Sequence, residues 1–356
     1  MFQRKVTILV PTYNRQVDLS RLVQYFAQLK FPYLICICDS SDAGVSQENR
    51  RMCEQFSDVL EIEYWAYPPE TDVFDKCVDA LERVQTEYVV FCADDDFLLL
   101  DSLNNSQLFL EQNPDFVGCQ GQFLSLKFKL NSEGQRVPVV WHQCFSLARN
   151  EETAADRIWQ NFHHYSHTFY AVFRHAETLE CFKTIQFRVK DILLDPNITQ
   201  INPGMIEVIL GMLILNKGKV HRLDQPHSLR NGMPSVGWEK YLFESDFCES
   251  MNLLLSILPH ALCESDRLSF EDASTSVRQG MYNHLALAIQ PQHYKPNGVS
   301  PSVSGKNFVD EKEISLQQFS MNDLQKTLVK YIIALIQTRP SPHDATYRFV
   351  KKGIAL

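Results

Sequence analysis

The first hundred residues alternate two hydrophobic periodicities, and that alternation leaves few folds open. Val6-Thr7-Ile8-Leu9-Val10 is a run of β-favouring residues, stopped by Pro11 and followed by the turn Thr12-Tyr13-Asn14-Arg15. From Val17 to Leu29, the residues Leu19, Leu22, Val23, Phe26 and Leu29 recur at helical spacing and predict an amphipathic helix. Tyr33 to Cys38 then predicts a second strand, Ser46 to Phe56 a helix and Leu60 to Tyr67 a third strand. Val73 to Val84 predicts a helix with Val73, Cys77, Ala80, Leu81 and Val84 inward, and Tyr88 to Cys92 a fourth strand. Such a βαβαβαβ succession predicts an α/β fold: a mostly parallel central sheet flanked by helices, with right-handed crossovers.

The fourth strand runs into Asp94-Asp95-Asp96 and resumes as Phe97-Leu98-Leu99-Leu100. Three adjacent carboxylates repel, and each is costly to desolvate unless something positive sits among them. At the carboxyl end of a parallel strand, where open α/β sheets hold their ligands, a divalent cation would serve. Oxygen-only ligands favour a hard ion, Mg²⁺ or Mn²⁺, carrying substrate phosphates. A solvated acidic turn is the plainer alternative. Pro11 to Arg15, Asp39 to Asp42 and Asp94 to Asp96 would then line one edge of the sheet as a ligand crevice. The chain has no GxGxxG after its first strand and no GxxxxGK[ST], so neither a dinucleotide fingerprint nor a P-loop is supported.

With 356 residues the chain can bury a full core in one large domain or two. Its net charge of −9 argues against a nucleic-acid binder, which would carry a basic stripe. An anionic nucleotide could still be held by local Arg, Lys and metal. No uninterrupted apolar segment reaches the roughly 18 residues of a membrane span, and Met1-Phe2-Gln3-Arg4-Lys5 leads directly into a strand without a secretory apolar region. The ten cysteines are scattered, several within apolar runs, and form no CxxC pair. These features set the expectation of a cytoplasmic protein with reduced core thiols and no zinc site.

Together, Val10-Pro11-Thr12-Tyr13-Asn14-Arg15, Cys38-Asp39-Ser40-Ser41-Asp42 and Thr86 to Phe97 resemble the corresponding strand ends of family 2 glycosyltransferases with the GT-A fold. The resemblance covers about the first 100 residues well and extends more loosely to about residue 232. It implies a GT-A domain over residues 1–232, a nucleotide-diphospho-sugar donor with UDP favoured, a hydroxyl acceptor, and Mn²⁺ or Mg²⁺ held by a DxD-type motif. Carried over residue by residue, it places Pro11, Thr12 and Tyr13 at the nucleotide base, with Tyr13 near a uracil and Arg15 near phosphate. Asp39 would accept a hydrogen bond from the base. Asp94 and Asp96 would be the DxD pair on metal and ribose, with Asp95 between them; the usual D-x-D-D pattern has Ala93 in its first place here. Tyr13 and Asn14 also read as plain turn formers and Asp39 as a capping residue. Lys76, on a predicted helix, reads either as a phosphate contact or as a solvated lysine.

Farther along, Ser102 to Gln112 predicts a helix, Phe116 to Lys129 and Val137 to Phe145 strands joined by a turn at Asn131-Ser132-Glu133-Gly134, and Thr153 to Phe162 a helix. The segment Asn161 to Tyr170 is rich in aromatic residues and histidine; its spacing fits no compact zinc motif, so sugar stacking and core packing stand ahead of metal ligation by its three histidines. Met205 to Ile214 predicts an apolar helix with one acid, Glu207, in its first turns. That acid either complements the helix dipole or, as the resemblance implies, is the base of an inverting transferase, which must take the acceptor hydroxyl's proton. Asp195 and Asp191 are the reserve candidates. Gly218 to Arg230 is similar to the family's returning strand, with Arg230 pairing with the diphosphate and His227 as a further metal ligand; both also read as an incidental surface loop. Beyond Gly232, residues 233–356 read as a helical region, with helices over Ser245 to Leu258, Ser276 to Ile289 and Met321 to Gln337 and a long loop from Pro291 to Asn307. Capping the acceptor site, dimer contact and peripheral membrane contact all stay open for it. Nucleotidyl transfer, or nucleotide binding without catalysis, are the rival functions.

Overall fold

A computed structural model describes residues 5–130, 136–143, 147–194, 203–231 and 247–288. The chain opens with β1 (Val6–Thr12), α1 (Gln16–Gln28), β2 (Leu34–Asp39), α2 (Ala43–Glu54), β3 (Glu61–Ala66), α3 (Val73–Arg83) and β4 (Tyr88–Phe91), the alternation that the periodicities predict. Next come the two-residue β5 (Phe97–Leu98), α4 (Leu100–Gln112), and the antiparallel pair β6 (Phe116–Leu130) and β7 (Arg136–Gln143). The turn expected between that pair lies outside the described residues. Then follow α5 (Ala154–His163), β8 (Val172–Arg174), α6 (His175–Ile192), α7 (Pro203–Lys217), β9 (Lys219–Asn231), α8 (Phe247–Ser265) and α9 (Phe270–Ala288).

Among the described residues one sheet runs β3-β2-β1-β4-β8-β6-β9-β5, with β7 added on β6. Its first four strands form a parallel block. β8 is antiparallel to both β4 and β6, β9 is parallel to β6, and β5 antiparallel to β9, so the second half of the sheet is mixed. Successive side chains on a strand face opposite sides, and the core divides accordingly. Leu9, Cys36, Cys38, Val89 and Phe91 face one layer with residues of α3, α6, α7 and α8. Ile8, Val10, Ile35, Ile37, Val90 and Cys92 face the other with α1 and α4. Each such buried Ile, Leu or Phe contributes about 1.5–3 kcal/mol of apolar burial, and this burial on both faces explains why these strands read as unbroken apolar runs.

Helix starts depart from the expectations where local hydrogen bonds, not periodicity, set them. The first bond of α2 runs from the Ser46 amide to the Asp42 carbonyl, so the helix begins three residues ahead of the expected Ser46. Ser269 caps α9 by accepting from the Asp272 amide, six residues ahead of the expected start at Ser276. The apolar faces of α8 and α9 join the same core layer as α3, α6 and α7. No helix among the described residues is long and apolar enough to cross a membrane. Cys36, Cys38, Cys53, Cys77, Cys92, Cys119, Cys181 and Cys263 are free thiols. The expected helix at Met321 to Gln337 and the loop from Pro291 lie outside the described residues.

Candidate active site

The parallel block brings the carboxyl ends of β1, β2 and β4 side by side, and the turn after β1 is clamped to both neighbours. Asn14 turns the chain in the left-handed region (φ 53°), which asparagine tolerates better than most residues. Its amide donates to Ser41 Oγ at 2.7 Å, and its side chain exchanges hydrogen bonds with Asp42. Thr12 Oγ1 donates to Asp94 Oδ2 at 2.7 Å across the β1–β4 junction. Arg15 forks over the acidic run: Nη1 lies 2.7 Å from Asp94 Oδ1 and Nη2 2.7 Å from Asp95 Oδ2, while Nε is 3.6 Å from Asp18. The positive charge that the triplet requires is thus partly the chain's own.

Lys76 is a correction to the reading of a solvated side chain. Its Nζ is buried and donates to the Thr12 carbonyl and Ser40 Oγ, both at 2.8 Å, and burial lowers its pKa. The ammonium therefore ties α3 to the ends of β1 and β2. Asp39 is fully buried and accepts from the Ser41 amide, Asn49 Nδ2 and the Tyr64 hydroxyl. The structure thus surrounds it with internal donors, three bonds on a carboxylate that offers about four acceptor sites. Pro11, Thr12, Tyr13, Arg15, Lys76 and Asp94 line one open cleft of about 660 Å³, with Tyr13 half exposed at its mouth.

β5 and β8 complete the far side. The antiparallel register of β5 on β9 pairs Phe97 with Leu229 and Leu98 with Ser228, so one step farther Arg230 comes opposite Asp96. Arg230 Nε lies 3.5 Å from Asp96 Oδ2, and its guanidinium stacks 4.7 Å from the Tyr170 ring. The antiparallel run of β8 beside β4 sets Tyr170 at the same end of the sheet, where its hydroxyl donates to Asp96 Oδ2 at 2.8 Å. Glu207, on α7, stands one third exposed with Oε1 3.1 Å from His167 Nδ1. Burial opposes the charge on Arg230, but Tyr170, Asp96 and Glu207 outweigh it and hold its pKa above the ordinary guanidinium value. Asp94 shows the opposite balance: burial pushes its carboxyl up to about 7, beyond what Arg15 and Thr12 pull back.

His227 is not placed as a metal ligand. It is fully buried, with Nε2 2.7 Å from the Tyr170 carbonyl and Nδ1 2.8 Å from Ser102 Oγ. Both nitrogens are thereby engaged: Nε2–H donates to the carbonyl, and Nδ1 accepts from the serine. Asp191 is exposed in the last turn of α6, and Asp195 lies outside the described residues. Tyr170 and His167 are the site residues that sequence reading did not single out within their segment. Both sit in the segment flagged as aromatic and histidine-rich, but their partners, Asp96 and Glu207, are 74 and 40 residues away.

Among the described residues, no three His, Cys, Asp or Glu side chains stand together as a ready-made metal site. Mg²⁺-type sites nevertheless commonly use only one or two carboxylates and complete the shell with substrate phosphates and water. Asp94 and Asp96 supply hard oxygen donors, and the burial-raised pKa of Asp94 marks negative charge that a cation would relieve. The donor set fits such an ion.

No protein-family model matches the chain, and no curated protein matches it in sequence. Solved structures do. S. aureus TarS residues 1–349 align over 79% of this chain and 71% of that one, with 15% identity and a TM-score of 0.51. The same protein in complex with UDP-GlcNAc aligns over 81% and 77%, at 16% identity and a TM-score of 0.52. Its complex with UDP aligns over 79% and 72%, at 17% and 0.50. At such identities the likeness is one of fold. The chain has a GT-A-like α/β fold with its cleft at the carboxyl ends of the parallel strands.

Proposed function

We propose that this chain is a metal-dependent, inverting glycosyltransferase that moves a sugar from a nucleotide-diphospho-sugar, UDP-linked by preference, to a hydroxyl acceptor. One observation carries the reading. A cleft lined by Arg15 and the buried Lys76 adjoins Asp94, and the neighbouring Asp96 lies 3.5 Å from Arg230, whose charge Glu207 also favours. The preference for UDP is supported by the UDP and UDP-GlcNAc complexes of the similarly folded TarS.

In this mechanism Asp94 and Asp96 hold Mn²⁺ or Mg²⁺, which when bound offsets charge on the departing diphosphate. Tyr13 covers the base at the cleft mouth, and Arg15 turns from the carboxylates toward phosphate. Arg230 stabilises the leaving group; its charge is secured by Asp96 and Glu207. Glu207 accepts the proton of the acceptor hydroxyl as that oxygen bonds to the anomeric carbon. The bond to the diphosphate breaks with its electron pair on the opposite face.

Calorimetry tests this with UDP, GDP, CDP and ADP, each with Mn²⁺ and with EDTA, on the wild type and Asp96→Asn. Metal-dependent binding of UDP that the variant loses is expected. No binding of any diphosphate by folded protein would overturn the donor site. Binding that survives both EDTA and Asp96→Asn would remove the metal from the mechanism.

A further inference from the structure

We propose, on the reading of Glu207 as the acceptor base, that His167 is its positioning residue, and that the segment from His167 to Tyr170 sets the base and the carboxylate triplet in register. Glu207 and Gly211 stand four residues apart on α7 and so share one face of it. The same short segment meets both. His167 Nδ1 is 3.1 Å from Glu207 Oε1, and Thr168 Oγ1 comes so close to Gly211 that a Cβ there would stand only 3.3 Å away. Three residues beyond His167, Tyr170 donates to Asp96. One stretch of backbone therefore spaces the proposed base from the acid that faces Arg230.

The segment is anchored firmly enough to act as a ruler. The His167 carbonyl accepts from Gln120 Nε2 at 2.8 Å, and the Ala171 amide closes a turn onto the Thr168 carbonyl at 2.8 Å. Upstream, the Ser166 amide donates to Asn161 Oδ1 and its hydroxyl accepts from the Leu147 amide. The imidazole packs edge-on against Tyr165, centroids 4.8 Å apart. Exposure divides the pair as a base and its support require: the His167 side chain is 8% accessible, that of Glu207 34%. An imidazole Nδ1–H donating to one carboxylate oxygen fixes the plane of the carboxylate. The acid then meets the acceptor hydroxyl in one orientation, which is how a supporting residue raises the rate of a proton transfer.

The test has two arms on the full chain. In ¹⁵N-histidine NMR at pH 8, His167 is expected as the Nδ1–H tautomer, and Glu207→Gln is expected to shift that resonance most among the histidines. An Nε2–H tautomer indifferent to Glu207→Gln would overturn the pairing, whatever the enzyme's activity. The second arm measures UDP release from UDP-GlcNAc with Mn²⁺. His167→Asn, whose amide nitrogen falls at the Nδ1 position, is expected to keep kcat within about threefold, whereas His167→Gln and His167→Ala lose roughly 10- to 100-fold in kcat. KM for UDP-GlcNAc stays within about twofold in all three, as expected for a residue that acts on the proton transfer alone. A residue that only fills space would give the reverse order, with the larger Gln as the better substitute. Glu207→Gln with unchanged kcat would remove Glu207 as base while leaving the NMR pairing standing. No turnover by the wild type would overturn the UDP-GlcNAc reading and the catalytic part of the His167 role with it.

Discussion

Asp94, Asp95 and Asp96 are each held by a different set of partners: Thr12 and Arg15, Arg15, and Tyr170 with Arg230. Behind them, His227 braces Tyr170 and α4 through its two ring nitrogens. Burial holds that imidazole down at about 4, against an ordinary 6.5. The unfolded chain, with its His227 at the ordinary value, therefore takes up the proton first as pH falls. Stability from this residue is fully present above pH 6.5 and is lost progressively toward pH 4, about 2 kcal/mol of it by pH 5. Urea unfolding at pH 7.5 and pH 5 reads this directly. His227→Gln is expected to lower stability at pH 7.5 by about 2 kcal/mol, because a buried partner goes unmet. It should also flatten the drop between the two pH values. An unchanged drop would place the acid sensitivity elsewhere.

At the scale of elements, β9 carries both His227 and Arg230, and its seat on β6 is irregular, with register shifts around Gln120 and Gln122. Gly121 sits at that irregularity: a Cβ there would stand 2.3 Å from the Gln225 carbonyl oxygen and 3.1 Å from the His227 Cβ. Gly121→Ala is expected to destabilise by about 3 kcal/mol, since backbone must move to admit the methyl, and to weaken UDP binding by displacing Arg230. Gly44 of α2 has nothing within 4 Å of its would-be Cβ. Gly44→Ala should therefore gain about 0.5–1 kcal/mol from helix propensity, and thermal unfolding of the pair checks both signs. The strands and helices up to β4 were legible in the sequence because each buries an apolar face with its own period. The elements that finish the site were not. β5 and β8 have two and three residues, too few for any period. α6 starts at His175, and its N-cap Arg174 makes no side-chain cap bond; its inward set Thr178, Cys181, Phe182 and Ile185 is mixed in polarity beside an exposed Phe187. The acidic triplet could be picked out because charge after an apolar run is conspicuous, and Arg230 through the resemblance of its strand to the family's returning strand. The burial of His227 and the donors around Asp39 could not, since they depend on partners that only tertiary pairing supplies.

For the molecule as a whole, a net charge of −9 opposes the approach of an anionic nucleotide. At physiological salt, fields between exposed charges fade over about 8 Å, so Arg15, Lys76 and Arg230 within the site outweigh the distant surplus of acid. The cleft lies where the parallel block meets the mixed half of the sheet, and a ligand there would tie β1, α3 and β4 together. Binding to the folded state alone should then raise its thermal stability. UDP with Mn²⁺ at about a hundred times Kd corresponds to about 2.7 kcal/mol, or about 4 °C in Tm for a chain of this size. The gain should depend on pH through Asp94. Its carboxyl, at about 7 in the folded protein, must lose its proton to hold the cation. Proton and Mn²⁺ thus compete, and between pH 8 and pH 6 the apparent cation affinity should fall about tenfold, taking about 1.4 kcal/mol and roughly half the Tm gain with it. Asp94→Asn should show neither the gain nor its pH dependence. A shift of equal size at both pH values, or one that survives EDTA, would separate nucleotide binding from the Asp94 carboxylate and leave it to Arg15, Lys76 and Arg230 among the described residues.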